Sequence, residues 1–520
     1  MSELQKDKPG ADNQNSEKQT NDSQPIELRK LIGFGIGVGL FTLMISVSPP
    51  EGLSIEGWRT AAVALLMASW WISEIIPISA TALIPLVLFP VLGIAGIDET
   101  AQPYANPMIF LFMGGFMIAI AMQEWGLHRR VAINIITLIG ASPKRIVAGF
   151  IVASGLMSMW VSNTAATMMM LPIALSVIQL TKSVENGGGV DDQQYHNFAI
   201  VLMLAIAYSA SVGGLATVIG TPTNALLIGF VDEAYGIEIS FVQWMMAGIP
   251  IVILGLPVIF FTLVYGVYPV RFKNLPGGKE YIEQELKNLG SISKPESVVA
   301  CVFVLVAVLW MTRPLLEGLL PGISDAGIAI FGALLLFLIP IKPLEGKFLL
   351  SWKAAGQLPW GVLILFGGGL SLAGSIERTG LAEWVGGHFE ILSVWPVLLI
   401  IFVVAAAILM FTELASNSAT AAAFLPTMGS VAIGIGQHPL LLTIPVAIVA
   451  SCAFMLPVAT PPNAIVYGSG VMSIPEMAKA GLALNLGFAI LITLLTYFLF
   501  TLIFGIEIGT VPEGLGVFSQ

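Results

Sequence analysis

Long apolar segments recur along this chain from residue 31 to residue 507, and they constrain its fold more than any other feature. A helix that crosses a bilayer needs about 20 mainly apolar residues. Only 10% of the residues are charged, whereas a soluble globular chain carries about 25%. The pattern therefore predicts an all-α polytopic membrane protein. The candidate spans are residues 31–48, 57–75, 76–94, 106–125, 197–218, 248–271, 297–312, 323–341, 357–375, 439–458 and 481–507.

Two further apolar segments, roughly 141–181 and 391–435, are each long enough to cross a bilayer twice. A polar cluster interrupts each of them, WVSNT in the first and TELASNS in the second. Polar backbone at membrane depth is tolerated only where it lines a cavity or is buried in protein. Each segment is therefore either a pair of full spans or a re-entrant hairpin, and the charge distribution does not separate the two.

The positions of lysine and arginine predict the orientation, because cytoplasmic loops are enriched in these residues. With the N-terminus inside, all of them fall on the cytoplasmic side except Arg59, Arg313 and Arg378. We therefore expect a multi-pass protein of the cytoplasmic (inner or plasma) membrane. Its expected non-spanning segments are a disordered cytoplasmic tail (1–29), a cytoplasmic loop (273–296) and an external C-terminal tail (511–520).

Motifs of the first half recur in the second half in the same order. The matched pairs are FxGG at Phe112 and Phe366, Ser-Asn at Ser162 and Ser416, and TPxNA at Thr221 and Thr460. The members of the first two pairs are 254 residues apart and those of the third 239. Order and spacing that hold through three motifs predict two structural repeats, at residues 30–272 and 297–510.

The basic residues near the two polar clusters predict that the repeats have opposite orientations. Four of them flank the first cluster and one precedes the second; they are Arg129, Arg130, Lys144, Arg145 and Arg378. We expect a cytoplasmic-side hairpin at about 139–181 and an outer-side hairpin at about 389–435. Secondary carriers use inverted repeats with interrupted helices and bind their substrates near the midplane of the membrane.

Other classes of protein fit the sequence less well. The chain contains no nucleophile–base pair or metal-ligand spacing that would indicate a membrane-embedded enzyme. A channel needs a continuous pore and no conformational cycle, which the symmetry of the breaks does not favour. No basic stripe with interleaved aromatic residues is present, so a nucleic-acid partner is not expected.

Each predicted repeat contains two polar breaks, at 162–164 and 220–224 in the first and at 416–418 and 459–463 in the second. The carbonyls at a helix C-terminus can hold a cation, and the free N–H groups at a helix N-terminus can hold an anion. No Lys or Arg lies near any break in the sequence. An anion bound there would need co-bound cations, so the breaks predict cation coupling. The alternative is structural, since Ser and Thr in spans often bond a carbonyl one turn back.

Three acidic residues lie near membrane depth, where an ionisable group is expected to be functional. We expect Glu74 and Asp325 to lie in solvated positions at the ends of spans. Glu413 lies three residues before Ser416, and we expect it to support the hairpin tip rather than to carry a proton.

At these breaks the chain resembles the divalent anion/sodium symporter family. That family has paired Ser-Asn-Thr hairpin tips and paired Thr-Pro breaks, and its late pattern matches Ser451, Phe454, Pro457, Asn463 and Val466. The resemblance covers about residues 30–507. It implies eleven transmembrane helices plus two re-entrant hairpins, arranged as a scaffold and a transport part in a homodimer, and an elevator-type movement of the transport part.

The resemblance also implies which residues bind. The implied first sodium site is Ser158, Ser162, Asn163 and Gly220, and the implied second site is Thr412, Ala415, Asn417 and Ala459. The implied substrate contacts are Asn163, Thr164, Thr221, Pro222, Asn417, Ser418, Thr460 and Pro461. The second tip departs from the family, because Ser418 stands where the pattern has Thr; this retains the hydroxyl and removes a methyl group worth only about 1 kcal/mol.

The implied activity is Na⁺-coupled symport of C4 dicarboxylates such as succinate, malate and fumarate, with Na⁺ as coupling ion and no other cofactor. A Na⁺-independent dicarboxylate exchanger of the same fold is the nearest alternative. Members of the family also carry sulfate or a tricarboxylate, and the tips do not separate these substrates.

Overall fold

A computed structural model describes residues 28–185, 192–272 and 278–512, and the remainder of both predicted tails lies outside these ranges. The described residues are mostly helical, and their two strands, β1 (Pro340–Lys342) and β2 (Lys347–Phe348), pair antiparallel. The helices are α1 (Leu28–Ser46), α2 (Ile55–Ser73), α3 (Ile78–Thr81), α4 (Ile84–Leu92), α5 (Ile97–Ala101), α6 (Pro107–Glu124), α7 (Leu127–Ile139), α8 (Pro143–Ser158), α9 (Asn163–Glu185), α10 (Asp192–Gly213), α11 (Pro222–Tyr235), α12 (Phe241–Phe261), α13 (Gly278–Asn288), α14 (Lys294–Leu316), α15 (Asp325–Leu338), α16 (Trp352–Ala355), α17 (Trp360–Arg378), α18 (Leu381–His388), α19 (Val397–Thr412), α20 (Asn417–Gly434), α21 (Leu440–Ala450), α22 (Pro461–Tyr467), α23 (Ile474–Leu495) and α24 (Thr501–Ile503).

Six helical segments of the described chain are long and apolar enough to cross a membrane, and six further apolar helices are shorter. The six long segments are Ile97–Glu124, Asp192–Ala216, Phe241–Val267, Lys294–Leu316, Trp360–Arg378 and Ile474–Ile503. Several predicted spans are divided or shortened: residues 76–94 form α3 and α4, and the span predicted at 439–458 ends with α21 at Ala450. The helical membrane protein is confirmed, and the number of spans stays a prediction.

Proline and extended backbone interrupt the helices at matched places in the two halves. Pro222 and Pro461 are the first residues of α11 and α22, a position where the missing N–H has no helical partner to lose. The preceding residues, Thr221 and Thr460, are extended, with φ of −142° and −139°. Both breaks therefore have the same local conformation.

The other matched motifs also occupy matched elements. Phe112 of α6 and Phe366 of α17 pack edge to face in the core, with ring centroids 5.1 Å apart. Gly126 and Gly380 follow these helices with φ of +73° and +72°, a region that favours glycine. Each of them begins a shorter helix, α7 in the first half and α18 in the second.

The two halves interlock at the centre of the molecule. The helix after each break packs against the other half: α11 packs on α20 and α21, and α22 packs on α9 and α10. The apolar length of α10 is completely buried. On α10, the buried Tyr208 donates from its hydroxyl to the Phe454 carbonyl at 2.6 Å, which joins the first half to the break of the second.

Two predictions made from the sequence differ from the structure, one for Asp325 and one for the loop 273–296. The solvated position predicted for Asp325 is wrong, because its Oδ2 accepts from the Phe241 N–H at 2.9 Å and from Arg313 at 3.1 Å, and only 13% of the side chain is exposed. The residue begins α15, where a carboxylate is favoured by the helix dipole. The predicted loop 273–296 contains a helix, α13, over Gly278–Asn288.

Candidate functional site

All four polar breaks line one cavity of about 670 Å³. The sequence-predicted residues that line it are Ser162, Asn163, Thr164, Gly220, Thr221, Pro222, Ser416, Asn417, Ser418, Ala459, Thr460 and Pro461. The other three, Ser158, Thr412 and Ala415, do not line the cavity and are buried. Residues from 162 to 461 in the chain thus meet around a single space.

The Asn163 amide is the centre of the first tip. One of its terminal atoms lies 2.5 Å from Ser158 Oγ, 3.2 Å from the Gly220 carbonyl oxygen and 3.3 Å from the Ala210 carbonyl oxygen. With nitrogen at this position, the amide donates to the surrounding oxygens. With oxygen there, four oxygens face one another, which is the environment that a cation needs. Ser158, Gly220 and Ala210 thus bring three oxygens to one end of the Asn163 amide.

A second asparagine holds the first break. Asn224 Nδ2 donates to the carbonyl oxygens of Thr217, Gly214 and Leu215 at 2.8, 3.1 and 3.4 Å. A Cβ on Gly220 would lie 2.4 Å from the Gly214 carbonyl oxygen, so glycine is required for this close approach of the backbone. The break is a fixed loop of carbonyls rather than a frayed helix end.

The second tip repeats this arrangement with a threonine in place of Ser158. Thr412 Oγ1 lies 3.2 Å from Asn417 Oδ1 and donates to the Ala450 carbonyl at 2.9 Å. In both tips a fully buried hydroxyl contacts the asparagine five positions later. Each tip thus presents a hydroxyl and an amide oxygen to the end of the neighbouring broken helix.

Glu413 fixes the backbone of the second break. Its carboxylate accepts hydrogen bonds from four donors within 3.1 Å. These donors are the backbone N–H groups of Phe454, Met455 and Leu456 and the side-chain amide of Asn485. On the carbonyl side of the same loop, Asn463 Nδ2 donates to the Ala453 and Leu456 oxygens at 3.1 and 3.0 Å. These contacts match the support role expected for Glu413 from the sequence.

Ser451 joins the two breaks. Its Oγ lies 2.7 Å from Thr223 Oγ1 and 3.2 Å from Thr221 Oγ1, and all three residues are buried. Ser451 ends α21, whereas Thr221 and Thr223 lie at the start of α11. These contacts tie the end of α21 to the start of α11.

Helix N-termini provide the positive character of the cavity. Ser162 and Ser416 cap α9 and α20 by accepting the N–H groups of Ala165 and Ala419 at 3.3 and 3.2 Å. Free N–H groups and the helix dipole favour an anion at such ends. Among the residues that line the cavity, none is Lys, Arg or His. The site can therefore hold an anion through dipoles and hydroxyls, with cations supplying the full charges.

Several lining residues were not identified by sequence reasoning. Gln123 and Gln357 line the cavity together with Glu74, an exposed residue at the end of α2. The exposed side chain at the end of α2 agrees with the solvated position expected for Glu74, whereas its place in the lining of the cavity was not expected. None of the matched motifs includes these residues.

A helical membrane protein with two broken-helix pairs around one cavity is a transporter of small solutes. The chain belongs to the family described as the sodium:sulfate symporter transmembrane region, which it matches over residues 30–506. The resemblance noted from the tips and breaks is thereby confirmed. Because this is a family of transporters, the prediction that the protein is not an enzyme is confirmed as well.

Curated relatives match nearly the whole chain. Proteins named sodium-dependent dicarboxylate transporter SdcS are 43% identical over 483 residues in Staphylococcus saprophyticus, covering 92% of this chain and 93% of the relative. Proteins of the same name in Staphylococcus aureus are 44% identical over 489 residues, covering 93% of this chain and 94% of the relative.

Two solved structures share the fold. The Alcanivorax borkumensis YdaH transporter has a TM-score of 0.54 at 15% identity and covers 84% of this chain and 98% of its own. Neisseria gonorrhoeae MtrF has a TM-score of 0.55 at 11% identity, and the match covers 92% of this chain and 96% of MtrF. At these identities the similarity concerns the fold alone.

Proposed function

We propose that the protein is a secondary active symporter that couples Na⁺ to the uptake of C4 dicarboxylates such as succinate, malate and fumarate. The observation that carries the proposal is the cavity: two matched tips and two matched breaks surround it, and no basic residue lines it. The names of the relatives from Staphylococcus support both the ion and the substrate class.

Two cation sites follow from the matched tips. In the first, Ser158, Ser162, Asn163 and Gly220 supply hydroxyl, amide and carbonyl oxygens; in the second, Thr412, Ala415, Asn417 and Ala459 do so. The contacts of Asn163 with Ser158 Oγ and Gly220 O support the first site. The contacts of Thr412 with Asn417 and Ala450 support the second. Oxygens at helix breaks are what transporters use for Na⁺.

The substrate would lie between the tips, in contact with both repeats. The proposed contacts are Asn163, Thr164, Thr221, Pro222, Asn417, Ser418, Thr460 and Pro461, all of which line the cavity. A C4 dicarboxylate has a charge at each end, and each end would meet one tip. Two Na⁺ ions beside the tips would offset these two charges, so that anion binding depends on the cations.

The movement that carries the substrate across would be of the elevator type. Helices α8 to α11 and α19 to α22 pack on one another, and these helices together with the tips and breaks between them contain all the proposed ligands. They would move as one transport part against a scaffold that forms a homodimer. The proposed topology has eleven spans and two re-entrant hairpins, with the N-terminus in the cytoplasm and the C-terminus outside.

Uptake into proteoliposomes tests the proposal. Labelled succinate is supplied outside with an inward Na⁺ gradient, or with K⁺ in place of Na⁺, at equal ionic strength. We expect accumulation only with the Na⁺ gradient. Uptake that ignores Na⁺ but requires internal dicarboxylate would identify an exchanger instead, and uptake of sulfate or citrate without succinate would reassign the substrate.

A further inference from the structure

Glu74 is the one residue with an ionisable side chain among those that line the cavity. Its side chain is exposed to this space and forms no hydrogen bond or ion pair with any described residue. No Lys, Arg or His lines the same cavity. The charge of the carboxylate is therefore not neutralised by a neighbouring group and acts on whatever enters the cavity.

The backbone at Glu74 is unusual. The residue caps the C-terminus of α2 with φ of 50° and ψ of 40°, and its N–H donates to the Trp70 carbonyl at 2.9 Å. Among the described residues it is the one non-glycine with positive φ. A left-handed C-cap favours glycine or asparagine, and an acidic side chain is disfavoured at a helix C-terminus because of the dipole. The capping conformation alone does not account for a glutamate here.

We propose that Glu74 sets the charge preference of the cavity, by drawing Na⁺ in and by disfavouring substrates with more than two negative charges. The proposal rests on the function proposed above and deepens it. The carboxylate at the end of α2 makes one wall of the cavity negative. A cation entering the cavity is attracted by this wall, and an anion is repelled.

The negative potential of this wall distinguishes substrates by their charge. Two bound Na⁺ ions offset the two charges of a dianion. The third charge of a trianion has no cationic partner among the lining residues and meets the carboxylate of Glu74. The penalty is electrostatic, so it scales with the charge of the substrate and falls as added salt screens the interaction.

The test compares wild type, Glu74→Gln and Glu56→Gln in proteoliposomes. Gln keeps the shape of the side chain and removes its charge. Glu56 lies in the first turn of the same helix, about 27 Å away at 1.5 Å per residue, and does not line the cavity. It is a matched control, since both variants lose one negative charge from α2. The readouts are the Na⁺ concentration that gives half-maximal succinate uptake, and the ratio of citrate to succinate uptake at pH 8, where citrate is a trianion.

We expect Glu74→Gln to raise the half-maximal Na⁺ concentration and the citrate ratio by about two- to fivefold, with Glu56→Gln like wild type. Glu74→Asp should keep wild-type values because it keeps the charge. Unchanged values in Glu74→Gln would overturn the proposal.

If Glu74→Gln gives no folded protein, wild type is titrated with Na⁺ at low and high choline chloride. A half-maximal Na⁺ concentration that ignores the added salt would likewise overturn it. Absence of Na⁺-dependent succinate uptake in wild type would instead contradict the proposed function itself.

Discussion

The hairpin-tip asparagines show how single residues serve two purposes in this fold. Each begins a helix, α9 or α20, and each has an amide within reach of a buried hydroxyl; the Asn163 amide also reaches the Gly220 carbonyl of the first break. The same side chain therefore supports the tip and faces the cavity. Loss of the amide removes a proposed ligand for both the cation and the substrate.

Asn163→Ala and Asn417→Ala should each reduce succinate uptake about 10- to 100-fold, because each removes a partly buried amide that has no substitute in the tip. Uptake is measured per amount of protein inserted in the membrane, which we expect to be unchanged. Asn134→Ala is the control, since Asn134 is exposed on α7 and, within the described part of the chain, its side chain bonds the Arg130 carbonyl alone. Normal uptake by either tip variant would contradict the site.

Glu413→Gln should lower the stability of the protein by about 2–4 kcal/mol. The carboxylate accepts backbone N–H groups with both oxygens, and an amide would turn its NH₂ group toward one of these donors. The measurement is thermal unfolding in detergent. Glu390→Gln, at an exposed position, should have no effect. If both variants unfold at the same temperature, Glu413 does not hold the break.

At the scale of elements, the distance between α8 and α10 is set by two glycines. A Cβ on Gly213 would lie 2.1 Å from the Gly155 carbonyl oxygen. Backbones in contact place the end of α10 directly beside the first hairpin, from which Ser158 and Asn163 reach the break. The packing of these two helices thus determines the geometry of the first proposed cation site.

Gly213→Ala should separate α8 from α10 and lower both the melting temperature and the uptake of succinate, since an overpacked core costs about 1–3 kcal/mol. Gly35→Ala on α1 is the matched control, because a Cβ there meets no atom within 4 Å. That control should keep wild-type uptake and lose no stability, as alanine is the better helix former. A tolerated Gly213→Ala would show that the contact is not required.

His438 makes the start of α21 sensitive to acid. Its Nδ1 accepts the Leu440 N–H at 3.2 Å, and burial lowers the pKa of His438 from 6.5 to about 4. The unfolded chain takes up this proton first as the pH falls. The contribution of the neutral imidazole is therefore complete above pH 6.5 and is lost between about pH 6.5 and 4.

His438→Asn should flatten the loss of thermal stability over this pH range, because asparagine accepts the same bond and does not titrate. His388→Asn, at an exposed position, should leave the wild-type slope in place. The comparison is made from melting temperatures at pH 4.5, 5.5, 6.5 and 7.5. Equal slopes in all three proteins would show that His438 does not contribute.

At the scale of the whole molecule, the sequence predicted the features that are written in local motifs. The Ser-Asn tips and Thr-Pro breaks combine a helix-ending residue with oxygen ligands in a few positions, and the repeat shows which of them belong together. The structure brings all four breaks to one cavity, as that pattern predicts.

Features that depend on packing between distant elements were not predictable from the sequence. Glu74 faces the cavity only because the end of α2 packs beside the breaks, and the Asp325 side chain is only 13% exposed because α15 begins next to α12 and Arg313. Similarly, Ser451 bonds Thr221 and Thr223 across 228 to 230 residues of chain. No periodicity or motif specifies such contacts, since they arise from the arrangement of helices.

The central claim is that an anion binds in this cavity only with co-bound cations, because dipoles and hydroxyls replace basic residues. Calorimetry of succinate binding to the purified protein, in Na⁺ and in K⁺ at the same ionic strength, tests it most directly. We expect an affinity at least about tenfold higher in Na⁺, a difference of about 1.4 kcal/mol. Equal affinity in the two salts would contradict the account.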